Sequence, residues 1–186
     1  GRIIQCCDVV ALRLDATRPD PPHIEDWICN FVYHRPRLLR RLEEERRARF
    51  LAAHLDPAPQ EVLGPEPSRS LCLIRADRLR ASFHCDAYSR KYEARISFTL
   101  NGLDYPVANA RGLPVTDLKW RALGREWLGE GSRLALEYDP LLERLGASEI
   151  YLAIGLSRPF QGKAWPLVIG VHTVPEYPAT IDYGNL

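Results

Sequence analysis

The sequence predicts a β-rich α+β protein of OB-like Greek-key barrels with an inserted helical segment. Three observations carry that prediction. Ile96, Phe98 and Leu100 alternate with Arg95, Ser97 and Thr99, and Leu103, Tyr105 and Val107 alternate again after Asn101-Gly102. Asn-Gly between two alternating runs marks a hairpin, because a type I′ turn needs positive φ at both central residues. Next, Thr116 or Asp117 stands as an N-cap before a stretch running to about Leu128 in which Trp120, Leu123 and Trp127 share one helical face. Finally, Ile150–Gly155 and Pro166–Val171 are short apolar runs around the loop Leu156–Trp165. About five strands with a helix before the last ones is the layout of an OB-like fold, which places nucleic acid on one sheet face and its flanking loops.

The remaining elements follow in chain order. Ile3–Leu14 is a β-rich apolar run, and Thr17–Pro22 is a proline-punctuated loop. His23–Tyr33 has the mixture expected of a short helix. A long helix is expected from His34-Arg35-Pro36 to Asp56-Pro57, since Pro is tolerated in a first turn and disfavours helix in the residue before it. Its surface offers Arg40–Glu44, Glu43–Arg47 and Glu45–Arg49 as i,i+4 pairs. Pro57–Ser68, with four prolines and Gly64, reads as a semi-rigid linker. Leu71–Ile74 and Leu79–Cys85 are strands, Asp86–Lys91 a polar loop, and Leu134–Tyr138 a further strand. The organisation expected is an N-terminal strand plus helical segment over residues 1–67 (an incomplete first OB-like unit), an OB-like barrel over 68–176, and an extended tail over 177–186.

Composition narrows the function classes. The chain has 186 residues and an ordinary apolar fraction of 46%, enough for a real core. No apolar run approaches the ~18 residues of a membrane span, and no secretory signal is visible. The absence of Met and the strand-like start read as a trimmed or fragmentary chain. Cys6, Cys7, Cys29, Cys72 and Cys85 are odd in number and irregularly spaced, with no C-x-x-C pair for zinc. Reduced, mostly buried thiols in a cytoplasmic protein are the expectation.

Net charge is only +1, but it is unevenly spread. Arg35–Arg49 holds seven Arg against three Glu, and Arg69–Arg95 holds six Arg and one Lys against three acids. The planar Arg fork suits phosphate and stacks on bases; an Arg-for-Lys genomic bias gives the same excess. Arg75, Arg78, Arg80, Arg90, Lys91 and Arg95 fall on adjoining strands and one loop, interleaved with Phe83, Tyr88 and Tyr92. Cations with aromatic platforms are what a single strand of nucleic acid requires. Arg158, Lys163 and Trp165 in the loop near Gly162 would form the opposite wall of the groove. The plainer alternative is a solvated outer sheet face.

His23, Glu25, Asp26 and Trp27 cluster functional groups. A helix N-terminus, with acids against the dipole and Trp27 packed inward, is the structural reading; a metal or acid/base site is the alternative. Core packing is the favoured role of Trp120 and Trp127. No Ser/His/Asp arrangement is evident, and neither G-x-x-x-x-G-K-[ST] nor G-x-G-x-x-G occurs, so no catalytic residue, metal or cofactor is implied.

Three segments carry a family resemblance. They are Asp8-Val9-Val10 with Pro22-His23-Ile24-Glu25-Asp26-Trp27, then Val115-Thr116-Asp117-Leu118-Lys119-Trp120, then Ile150–Phe160 with Leu167–Val171. In their order and spacing the chain resembles the dual OB-domain family of prokaryotic conflict- and defence-associated proteins. That family usually has a Cys-, Gly- and Arg-containing segment ahead of the first strand, which has no counterpart here. The resemblance makes His23, Glu25, Asp26, Trp27, Thr116, Asp117 and Trp120 family-motif positions and implies nucleic-acid association in defence, without assigning a catalytic residue. The resulting expectation is a non-enzymatic accessory protein that binds single-stranded or unpaired DNA or RNA beside a protein partner. The alternative is a scaffold subunit of a defence complex with no nucleic-acid contact.

Overall fold

A computed structural model describes residues 4, 7–106 and 111–181. The chain is strand-rich, with four antiparallel sheets and four helices among the described residues. The β-rich α+β class is therefore as expected, while among the described residues no sheet closes on itself by ladder pairing.

The larger sheet holds β6 (Arg78–Cys85), β7 (Tyr92–Leu100), β8 (Leu103–Tyr105), β9 (Leu113–Pro114) and β10 (Arg133–Leu136). Strand alternation sorts its residues: Leu79, Ala81 and Phe83 on β6 and Ala94, Ile96 and Phe98 on β7 are buried, while their neighbours point outward. Asn101 and Gly102 have φ of 52° and 75°, as the Asn-Gly hairpin requires. Val107 lies outside the described residues.

The second sheet orders β12 (Pro166–Val174), β11 (Glu149–Leu156) and β5 (Leu71–Ile74). Val115, directly after β9, makes a parallel bridge to Val168 of β12, and so joins the two sheets. Helices α3 (Leu118–Leu128) and α4 (Tyr138–Leu145) lie between β9 and β11 in the chain, on either side of β10. The core between the sheets is filled by Phe83, Ile96, Trp120, Leu141, Ile154 and Val168, each apolar side chain contributing about 1.5–3 kcal/mol on burial. Asp117 is the N-cap of α3, its side chain accepting from Lys119 N and Trp120 N. Gly124 lets α3 approach the sheet: a Cβ there would lie 2.1 Å from Phe83. Helix α4 was not anticipated. Its apolar residues Leu141 and Leu145 sit too close to Pro140 and Gly146 to show a clear helical period.

The N-terminal half departs most from expectation. Residues 34–55 are not one helix: β4 (Arg37–Arg41) comes first, and α1 begins only at Glu44 and ends at Ala53. β4 pairs with β1 (Asp8–Ala11), and Arg41 locks the pair through Asp8 Oδ1 at 2.7 Å. Ladder pairing thus overrides helix propensity, a weak local preference. The Arg40–Glu44 pair fails because Arg40 is in the strand. Arg47 is buried, donating to Thr173 O and Cys7 Sγ instead of Glu43. Arg49 Nε reaches the Glu45 carbonyl, not its carboxylate.

His23–Tyr33 is not helical either: β3 (Trp27–Ile28) pairs with β2 (Ala16–Thr17). Pro57–Ser68, expected as a semi-rigid linker, is packed onto the fold. It contains α2 (Gln60–Leu63), whose Val62 is in the core. Arg69 ties it down, donating to Asp56 Oδ2 at 2.5 Å, Glu61 Oε2 at 2.8 Å and the Ala58 carbonyl. The expected tail starts inside the core, because Tyr177 packs on Trp120 with ring centroids 5.6 Å apart; residues 182–186 lie outside the description.

Candidate nucleic-acid interface

The pattern that buries one face of β6 and β7 turns Arg78, Arg80, Ser82 and His84 outward beside Glu93, Arg95, Ser97 and Thr99. Their register pairs Arg78 with Thr99, Arg80 with Ser97, Ser82 with Arg95 and His84 with Glu93. On the next strand, Arg133 stands opposite His84. Of the expected groove residues, Arg78, Arg80 and Arg95 thus share a face, with Lys91 at its edge and Arg90 in the adjoining loop.

This face is electrically divided. At its hairpin end a cleft of about 910 Å³ is lined by Arg78 and Arg80, but also by Asp77, Asp104, Glu137 and Asp139. Arg80 Nε lies 2.9 Å from Glu137 Oε1, and Thr99 Oγ1 donates to Asp104 Oδ1 at 2.6 Å. Carboxylates outnumber cations there, which repels phosphate.

At the other end the balance reverses. Glu93 faces Arg95 Nε at 3.1 Å, Lys91 Nζ at 3.8 Å and Arg111 Nη2 at 3.8 Å. The hydrogen bond from Arg95 holds the Glu93 carboxyl below its ordinary pKa, with Arg95, Arg111 and Lys91 adding charge. Arg95 is braced by a second bond, from Nη1 to Gly112 O at 3.1 Å. His84 and the exposed Arg133 extend this end. Arg111 and Arg133 were missed in the sequence; the alternation of Arg133-Leu134-Ala135-Leu136 could have shown Arg133 facing outward.

The loop beside it is preorganised. Asp86 Oδ1 accepts from Tyr88 N, Ser89 N and Ser89 Oγ, and the Ser89 N–H leads in holding its carboxyl below the ordinary value. Arg90 takes a φ of 57°, and the Tyr88 ring is 97% exposed. Beneath the loop a second cavity, about 520 Å³, is lined by Arg90, Tyr92 and Arg125. Arg125 lies over the Tyr92 ring at 4.4 Å, and burial pushes the Tyr92 hydroxyl up to about 12.

The other expected residues lie elsewhere. Arg75 pairs with Glu149 at 2.9 Å, on the strand end where Tyr151 also bonds Glu149. Lys163 and the exposed Trp165 are in the loop between β11 and β12, and Arg158 of that loop is held by Asp26 at 2.5 Å.

His23, Glu25 and Asp26 form a clip. Buried His23 places Nε2 3.1 Å from Ser157 O, Glu25 Oε1 accepts from Ser70 N and Oγ, and Asp26 takes Arg158. Each turns to a different partner, so they converge on no common metal or proton; Trp27 is exposed instead of packed inward. Asp117 likewise braces structure, its Oδ2 accepting from Val171 N at 2.8 Å. Thr116 N donates to Val168 O, and Trp120 is fully buried in the core.

No protein family, curated protein or solved structure matches the chain. No helix among the described residues is long and apolar enough to cross a membrane.

Proposed function

We propose that residues 68–176 form an OB-type unit that binds single-stranded or unpaired nucleic acid, in an accessory protein of a prokaryotic defence or nucleic-acid-processing system. Strand pairing supports the fold. The segment 71–85 pairs with β11 through β5 and with β7 through β6; β7 pairs β9, Val115 bridges to β12, and β12 returns to β11. Numbering those segments in chain order gives the circuit 1-2-3-5-4-1, a Greek-key route in which strands 2 and 3 and the loops after strands 1 and 4 carry the ligand.

The observation that carries the binding proposal is the charge around Glu93. Lys91, Arg95 and Arg111 gather around it, Arg133 stands on β10 opposite His84 of strand 1, and the loop bearing Tyr88 and Arg90 adjoins them. Phosphate can take the exposed Lys91 and Arg111 from Glu93 readily, since an exposed ion pair is worth only about 0–1 kcal/mol, and an exposed ring supplies stacking. Anisotropy titration of a fluorescein-labelled oligothymidylate tests this. Arg95→Ala/Arg133→Ala should weaken binding at least tenfold, and Arg78→Ala/Arg80→Ala, in the acid-lined cleft, much less. Equal losses from the two pairs would refute the placement.

A scaffold role is the second reading. Among the described residues the sheets β1–β4 and β2–β3 have two strands each, and open strand edges accept a partner's strand. Failure of the wild-type protein to bind the oligonucleotide at low salt would favour it.

A further inference from the structure

We infer that the turn at residues 30–34 and the strand after it make a second contact for single-stranded nucleic acid. This rests on the reading above and extends it to the N-terminal half.

The turn is built. Asn30 Oδ1 accepts from Val32 N at 3.1 Å and Tyr33 N at 3.3 Å, and the Asn30 carbonyl accepts from His34 N at 2.9 Å. Asp15 Oδ2 anchors its base by accepting from Asn30 N. This bracing holds three apolar side chains in water: Phe31 is 54% exposed, Val32 84% and Tyr33 79%. Folding gains nothing from that placement, whereas a ligand with flat apolar faces does.

Charge identifies the ligand. From Trp27 to Leu42 the chain holds four Arg and His34 but no Asp or Glu. Arg41 is taken by Asp8. Arg35, Arg37 and Arg40 are exposed, and among the described residues no carboxylate lies within 4 Å of them. Arg75, Arg80 and Arg158, by contrast, each have an acid partner. Unpaired guanidinium groups beside exposed rings match a polyanion whose bases are unstacked.

The test uses a labelled oligothymidylate of about 20 nucleotides, longer than the roughly 4–16 that one OB unit covers. Phe31→Ala/Tyr33→Ala should weaken binding about tenfold. Arg35→Ala/Arg37→Ala/Arg40→Ala should make the slope of log K against log salt shallower by about 2. All five side chains are exposed, so both variants should melt with the wild type. Wild-type binding that neither variant alters overturns this inference and leaves the sheet site standing; no wild-type binding removes both. Phosphatidylserine vesicles that sediment the wild type but not Phe31→Ala/Tyr33→Ala, with oligonucleotide binding unchanged, would give the turn to a membrane surface instead.

Discussion

Arg158 Nη2 sits 2.5 Å from Asp26 Oδ2, across 132 positions of chain. The bond closes a clip that also includes the contact of His23 with Ser157 and that of Glu25 with Ser70. Through it the N-terminal segment is fastened to the loop between β11 and β12 and to the start of β5. His23, Glu25 and Asp26, for which the sequence left metal or acid/base chemistry as the alternative, are thereby engaged in structural contacts.

The clip predicts graded losses. His23→Ala removes a buried hydrogen-bonding ring and should cost about 1–2 kcal/mol, read as a lower urea midpoint. Asp26→Ala breaks a more exposed pair and should cost less than about 1 kcal/mol. Unchanged midpoints in both would mean that the segment contributes nothing to the stability of the fold.

Gly124 is a packing requirement of α3. A methyl group there would meet Phe83 Cδ1 at 2.1 Å and Tyr92 Oη at 2.3 Å. Gly124→Ala should destabilise by about 3 kcal/mol, the upper end of usual overpacking costs, even though Ala is the better helix former. A neutral or stabilising result in thermal denaturation would mean that α3 sits farther from the sheet.

Asp56 gives stability an acid limb. Burial works to raise its carboxyl, but hydrogen bonds from Arg69 and Ala58 N–H outweigh it and hold the pKa below the ordinary 3.8. A lowered folded pKa adds stability that is present above the unfolded value and is lost as pH falls through the folded one. Wild type should therefore exceed Asp56→Asn by a constant margin above about pH 5, narrowing below about pH 4. Parallel curves across that range would contradict the pairing with Arg69.

The sequence and the structure agree where local signals dominate. Alternation along β6 and β7, the Asn101-Gly102 turn and the Asp117 cap are set by neighbours in the chain; β6 and the cap lie within a residue of expectation, while β7 begins three residues earlier, at Tyr92. Residues 34–41 went wrong because an Arg/Leu-rich stretch satisfies helix propensity, yet its strand is fixed by Asp8, more than thirty positions away. Val62 was hidden among prolines because its burial depends on packing across to β11. The candidate site was half legible. Outward-facing Arg78, Arg80 and Arg95 follow from period 2, but the acids that line the cleft beside the first two come from the residue before β6, from β8 and from the start of α4, where Glu137 pairs with Arg80, and Arg111 and Arg133 reach the same face through a loop and a strand added from the far side of the sheet.

The central claim is most directly tested by the salt dependence of oligothymidylate binding to the wild-type protein. With about four phosphates neutralised by the cations around Glu93, log K should fall against log salt with a slope of about −3, and more steeply if the N-terminal arginines also engage. A slope near zero, or no binding in low salt, would contradict the account and leave the scaffold reading in its place.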